Sequence, residues 1–234
     1  MIHNPPRSPL PQTCAVLSIA IAFQLSLGAS LFASSPLESP PTAEVNDDTG
    51  AGAAFRPLPN RPGKSAYVPL RHIRQEPWLC VTTSATMVLA HEGIKTTPRE
   101  LKALSDGRAY DPAHIFRYTK HTYFVQLVKG VTSLGRTWRF VSFPLTEGGF
   151  KTGLARIKAA LEQGNPPLVD TSLYGDHTFV ICGYDEATAV VLVMDPNIPH
   201  PGLRALTYAQ FRKIWNSDGV NCHYRAAVFT SGKP

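Results

Sequence analysis

Gln75, Cys80, His177 and Asp195 follow one another along this chain in settings that suit attack by a thiol. A thiolate nucleophile, an imidazole base, a carboxylate that orients the base and an amide donor for a developing oxyanion are together the parts of a hydrolase. The same parts serve a transferase that passes through a covalent acyl intermediate.

The segment Gln75-Glu-Pro-Trp-Leu-Cys80 precedes residues with helical spacing, since Val81, Ala85, Val88 and Leu89 recur on one side and Gly93 is a natural stop. Cys80 is thereby expected at the first turn of a helix. There, unpaired N–H groups and the macrodipole favour the thiolate, the reactive form of cysteine. Gln75, five residues earlier, could offer its side-chain amide to an oxyanion, with the Cys80 backbone N–H as second donor.

In Gly175-Asp-His177-Thr-Phe-Val-Ile-Cys-Gly-Tyr-Asp185 the period is two. A strand here puts His177, Phe179, Ile181 and Gly183 on one face and Thr178, Val180 and Cys182 on the other. Cys182 then points away from His177 and is a poor nucleophile. A turn at Gly183-Tyr-Asp185 leads to a second strand, Val190–Met194, which delivers Asp195 beside His177. Asp195 can accept a proton from one ring nitrogen and fix the tautomer that serves Cys80. Asp176 and Asn197 are rival orienters, although Asp176, adjacent in sequence to His177, should point the other way. Trp78 and Tyr174 flank the thiol and the base and are expected to wall the cleft as substrate-binding residues.

Around these motifs, Thr97-Pro98-Arg99-Glu100 reads as an N-cap, a first-turn Pro and a capping-box Glu opening a second helix. Asp111-Pro112 opens a third toward Lys120, and 123–150 gives no clear period. Lys151 to Gln163 forms a helix closed by Gly164. Strands follow at Leu168–Ser172, Thr178–Gly183, Val190–Met194 and Tyr224–Phe229, interrupted by a helix over Thr207–Trp215. Helices first and antiparallel strands afterwards predict an α+β fold with the thiol on the helical half and His177 and Asp195 on the sheet half.

The domain does not fill all 234 residues. Residues 14–33, CAVLSIAIAFQLSLGASLFA, are apolar and predict a secretory signal or N-terminal anchor within 1–33. Export to the periplasm or outside the cell follows as an expectation, with membrane tethering by 14–33 if the segment is retained. Cys14 precedes the apolar run, which argues against lipoprotein anchoring. Residues 34–64 are rich in Pro, Gly and Ser and read as a disordered linker, leaving 65–234 as the folded domain. The first 64 residues hold four cations and four anions, so the whole excess of +6 falls on 65–234. Those basic residues are scattered and no nucleic-acid motif accompanies them, so they read as a solvated basic surface.

Taken together, the residues resemble the papain-fold peptidases related to the double-glycine leader peptidases of bacteriocin exporters, and the broader exported C39-like group. The likeness is carried by Gln75, Cys80, Ser84-Ala-Thr-Met87, His177 through Asp185 and Asp195-Pro196. It extends to Ala160–Val169 and Leu206–Trp215. Val81 departs from it, since many relatives carry a small residue directly after the cysteine. The resemblance implies a papain-like cysteine peptidase of bacterial type with a peptide or protein substrate. Cys80 would then be the nucleophile, His177 the general base and acid, Asp195 the orienter and Gln75 the oxyanion donor.

A thiol acyltransferase or transpeptidase on the same fold uses the same residues. A noncatalytic binding module is the other class, and its hallmark would be loss of the cysteine or histidine. No metal or organic cofactor is implied, because the chain has neither Cys-x-x-Cys nor His-x-x-x-His spacing. Cys182 and Cys222 are either a disulfide in an exported domain or two separate core thiols.

Overall fold

The computed structural model describes residues 59–108, 111, 120–216 and 224–230. Its elements run β1 (Ser65–Tyr67), α1 (Cys80–His91), α2 (Pro98–Ser105), α3 (Phe124–Thr132), β2 (Arg139–Pro144), α4 (Glu147–Glu162) and β3 (Leu168–Thr171). They continue with β4 (His177–Asp185), β5 (Val190–Met194), β6 (Leu203–Thr207), α5 (Tyr208–Ile214) and β7 (Tyr224–Phe229).

The strands form one antiparallel sheet in the order β2-β7-β3-β4-β5-β6. β1 pairs with the far half of β4, along the edge whose near half pairs with β3. Alternation divides the buried side chains between the two faces. Val169, Phe179, Ile181, Val191, Val193, Ala227 and Phe229 join a core with Phe150, Leu154 and Ile157 of α4 and Phe211 of α5. Leu168, Val180, Cys182, Leu192, Met194 and Val228 join another with Val81, Ala85 and Val88 of α1, Leu101 of α2 and Leu127 of α3. The fold is α+β, with the thiol-bearing helix and the His-bearing strand in the halves expected of them.

One detail of the strand pattern fails. The β4–β5 register shifts between Ile181 and Gly183, leaving Cys182 as the extra residue of a β-bulge. Gly183 then lies opposite Leu192, away from the face of His177, and Tyr184 takes its expected place beside Phe179 and Ile181. A Cβ on Gly183 would also press to 2.8 Å of the Ala66 carbonyl oxygen, so the arriving β1 favours glycine there.

Helix ends follow local chemistry. Thr97 and Glu100 form the predicted capping box of α2. α4 begins at Glu147, earlier than its apolar pattern indicates, because Thr146 caps Gly149. Gly149 has low helix propensity, but any Cβ there would lie 2.1 Å from the Pro144 carbonyl oxygen. Close approach of the chain to itself selects the glycine and hides the helix start. Among the largest buried side chains, Trp215 stacks on Phe211 at 4.9 Å and donates to the Ala226 carbonyl at 2.9 Å. It joins α5 to the sheet.

β1, β2, β6 and α3 have no counterpart in the sequence pattern. β1 has only three residues, and β6 lies at the sheet edge beyond β5. The helix expected from Asp111-Pro112 lies outside the described residues. The end of the expected linker, 59–64, forms a turn in which Arg61 bridges Ser65 and Gly63 donates to Glu162 at 2.8 Å.

Candidate active site

α1 begins at Cys80 itself, so the thiol stands at the helix N-terminus, half-buried, where backbone N–H groups lack intrahelical partners. Two hydrogen bonds fix the strand that faces it. Ser84 Oγ, one turn into α1, donates to the Thr178 carbonyl at 3.1 Å, and Thr171 Oγ1 of β3 donates to the His177 carbonyl at 2.8 Å. The helix carrying the thiol is thereby tied to the backbone that carries the imidazole.

His177 is the first residue of β4 and is buried. Its Nε2 lies 2.7 Å from Asp195 Oδ1, and Cys80 is close enough to the ring to favour its protonated form. Asp195 follows directly on β5 and is fully buried. Its Oδ1 also accepts the Asn197 backbone N–H at 2.8 Å, and its Oδ2 meets Arg204 Nη2 at 2.8 Å. The Arg204 contact is a charge pair rather than an aligned hydrogen bond. Its main chain is held by the Gly202 carbonyl at 2.8 Å and by His72 Nε2–H, which donates to the Asp195 carbonyl at 3.1 Å.

These contacts set the electrostatics. Burial acts to lower the His177 value, but hydrogen bonds and charge from Asp195 and Cys80 outweigh it and raise the imidazole to about 9. Burial acts to raise Asp195, but His177, the Asn197 N–H and Arg204 hold the carboxyl below its ordinary value. The arrangement favours an imidazolium held between a carboxylate and the thiol sulfur.

Gln75 lies beside the same cluster because its backbone N–H donates to the Pro196 carbonyl at 2.9 Å, one residue beyond Asp195. Its Oε1 is buried without a hydrogen-bond partner. Trp78 and Tyr174 are not core residues. Trp78 is 50% exposed and Tyr174 61% exposed, and both sit in the left-handed region, at φ 70° and 54°. Bulky residues adopt that region at a cost, and such strain gathers at functional sites. Tyr174 meets the His177 ring edge-on at 5.4 Å, while Trp78 packs on His121 at 5.1 Å.

The rivals are separated from the chemistry. Asp176 is exposed at φ 82°, and Asn197 meets Asp195 through its backbone N–H. Cys182 is a free, fully buried thiol that donates to the Leu192 carbonyl, and burial pushes its value well up. Its suggested partner, Cys222, lies outside the described residues. No group of three or more metal-ligating side chains gathers among the described residues. An open depression of about 630 Å³ between α4 and α5, lined by Phe150, Tyr208 and Arg212, shares no residue with this cluster.

Sequence reasoning missed Arg204, His72 and Thr171 as supports. Arg204 was legible only through register, because β6 pairs Arg204 with Val193 and sets it diagonally across from Asp195.

A helix N-terminus presenting a thiol to an imidazole and carboxylate on an antiparallel sheet defines a papain-like α+β domain. Residues 67–222 match the Peptidase C39-like family, and the chain belongs to that family. Similar solved structures include a double-glycine motif protease from an AMS/PCAT transporter in complex with the leader peptide. It is 13% identical over 70% of this chain and 94% of that one, with a TM-score of 0.48. The peptidase domain of Streptococcus ComA, a bifunctional ABC transporter involved in quorum sensing, is 15% identical over 71% of this chain and 100% of that one (TM-score 0.47). UfSP from C. elegans is 11% identical over 75% of this chain and 35% of that one (TM-score 0.48). No curated protein matches the chain. Family membership supports a peptidase.

Proposed function

We propose that the chain is a thiol-dependent peptide hydrolase in which Cys80 is the nucleophile, His177 the general acid and base, Asp195 the orienter and Gln75 an oxyanion donor. The observation that carries this reading is the His177 ring, hydrogen-bonded through Nε2 to a buried carboxylate and set near the thiol at the start of α1.

In the proposed reaction the Cys80 thiolate attacks the peptide carbonyl carbon. The carbonyl oxygen becomes an oxyanion that the Cys80 N–H and the Gln75 side-chain amide would stabilise. As the tetrahedral species collapses, the C–N bond breaks and His177 gives its proton to the departing amine. A thioester remains on Sγ. Water, losing a proton to neutral His177, attacks that thioester, and the acid leaves with the thiolate and imidazolium restored. Asp195 stays ionised throughout and holds the ring in one orientation. Trp78 and Tyr174 would bind substrate on either side of the reacting sulfur.

Two parts of the reading concern location rather than chemistry. Residues 14–33 are proposed to direct export, and the substrate is proposed to be a peptide or protein met outside the cytoplasm. Cell fractionation of the full chain tests this, and recovery in the cytosol alone would refute it.

The chemistry is tested by hydrolysis of a diverse peptide library by the wild type and by Cys80→Ala. Cleavage by the wild type with none above background in a folded Cys80→Ala protein is expected. Equal cleavage by both would remove Cys80 from the reaction.

A further inference from the structure

Arg204 stands on β6, the strand that ends the sheet beyond β5. Register places it opposite Val193, and Gly202 faces Asp195 through the Asp195 N–H bond to its carbonyl. Arg204 is therefore the diagonal neighbour of Asp195 on one face of the sheet, within reach of a long side chain. The same face carries His177 and Phe179 of β4, and the guanidinium lies 5.9 Å from the centre of the Phe179 ring. The Arg204 side chain is 19% exposed, and its Nη2 is 2.8 Å from the Asp195 oxygen that His177 does not use.

Two cationic groups thus divide one buried carboxylate. We propose that Arg204 is a positioning residue for the reaction proposed above. It holds Asp195 Oδ1 on the imidazole and limits, by its own charge, how strongly that carboxylate retains the imidazolium proton. The inference rests on the thiol-hydrolase reading.

The charged and titratable groups around His177 and Asp195 are Cys80 on α1, Arg204 on β6, His72 before α1 and Tyr174, whose ring meets His177 edge-on. His72 is held below the ordinary histidine value, first by burial, with His200 and Arg74 adding to it. It favours the neutral form at the Asp195 carbonyl. Arg204 remains the permanent cation at this carboxylate among the described residues, because a guanidinium keeps its charge throughout the working pH range. Two cations compete for the same negative charge, so removing one strengthens the hold of Asp195 on the other.

The test is the rate at which iodoacetate alkylates Cys80 in the full chain, read on the Cys80-containing peptide by mass spectrometry from pH 5 to 11. An anionic reagent is drawn by the imidazolium, so the rate falls where His177 loses its proton. In the wild type that fall is expected near pH 9. In Arg204→Gln it should move up by about one pH unit, and in Arg204→Lys, which keeps a cation, it should stay close to the wild type. In an Asp195→Asn background the Gln change should move it by a smaller step, the part left by direct repulsion between the two cations.

A Gln variant with an unmoved edge overturns the inference, as does an equal shift in the Asn background, which would put the action of Arg204 elsewhere. Should Arg204→Gln fail to unfold cooperatively, Asp195→Asn/Arg204→Gln, which leaves no unpaired buried charge, should regain a cooperative transition. Failure to regain it also overturns the inference. A wild-type Cys80 that labels as an ordinary thiol, with no alkaline fall, defeats the hydrolase reading itself. A wild-type fall with an unmoved Gln edge defeats the role of Arg204 alone.

Discussion

Cys80 and Cys182 are two free thiols in one domain, and their surroundings differ in every respect that governs reactivity. Cys80 is half-buried at a helix N-terminus and near the His177 ring. Cys182 is the extra residue of a β-bulge in the sheet interior, sealed beneath α1, with a backbone carbonyl as its acceptor. Burial there disfavours the thiolate, whereas Cys80 stands near an imidazole and the open N–H groups of a helix start. Surroundings, not residue type, make a cysteine a nucleophile.

The sharpest way to break the comparison is to delete each thiol in turn. Cys80→Ala is expected to abolish peptide hydrolysis while the thermal transition stays within a few degrees of the wild type. Cys182→Ala should keep activity within about twofold and cost about 1–2 kcal/mol of stability through the lost packing, measured by denaturant unfolding. Reversed outcomes would exchange the roles of the two cysteines.

Next in size is the base. His177→Ala should slow turnover by about 10²–10⁴-fold, because the thiol loses its ion-pair partner and the leaving amine its proton donor. It should leave the slow labelling of Cys182 unchanged. Gln75→Ala should lower kcat by about 10²–10³-fold with a small change in KM, since an oxyanion donor acts in the transition state. A change confined to KM would make Gln75 a substrate-binding residue instead.

The pH dependence is smaller but carries a definite sign. His177 is raised above its ordinary value, to about 9, so its contribution to stability is complete below the unfolded histidine value of ~6.5 and is lost as pH rises through about 9. Asp195 is lowered, so its contribution is present above the unfolded aspartate value of ~3.9 and is lost as pH falls through its folded value. Chemical denaturation across pH should show both edges in the wild type, and His177→Ala should lose the upper one. An unchanged upper edge in that variant would assign it to another group.

Least in effect is Ser84→Ala, which removes the bond from α1 to the Thr178 carbonyl. A loss of about 1 kcal/mol is expected, with turnover reduced more than stability alone explains because the thiol and the imidazole are no longer held in register.

Much of the candidate site's arrangement was legible in the sequence because its parts lie at element ends. A thiol opening a helical period, a histidine opening an alternating strand and an aspartate closing the next all follow from local pattern. The antiparallel pairing of β4 and β5 then brings the last two together. What escaped depends on the third dimension. The bulge at Cys182 reverses the face of Gly183 without any change in apolar pattern. Arg204 reaches Asp195 through the register of an edge strand that the sequence does not announce. The early start of α4 is hidden by Gly148-Gly149, where chain approach overrides helix propensity. The left-handed backbone of Trp78 and Tyr174 is likewise foretold by nothing in either residue type.

The central claim is that Cys80 and His177 form a thiolate–imidazolium pair. Its most direct test is the rate of Cys80 alkylation by iodoacetamide against pH, in the wild type and in His177→Ala. Fast labelling already present near pH ~6 and lost in the His177 variant is the predicted result. Slow labelling that rises only near pH ~8.5 in both proteins would contradict the account, for it would make Cys80 an ordinary thiol.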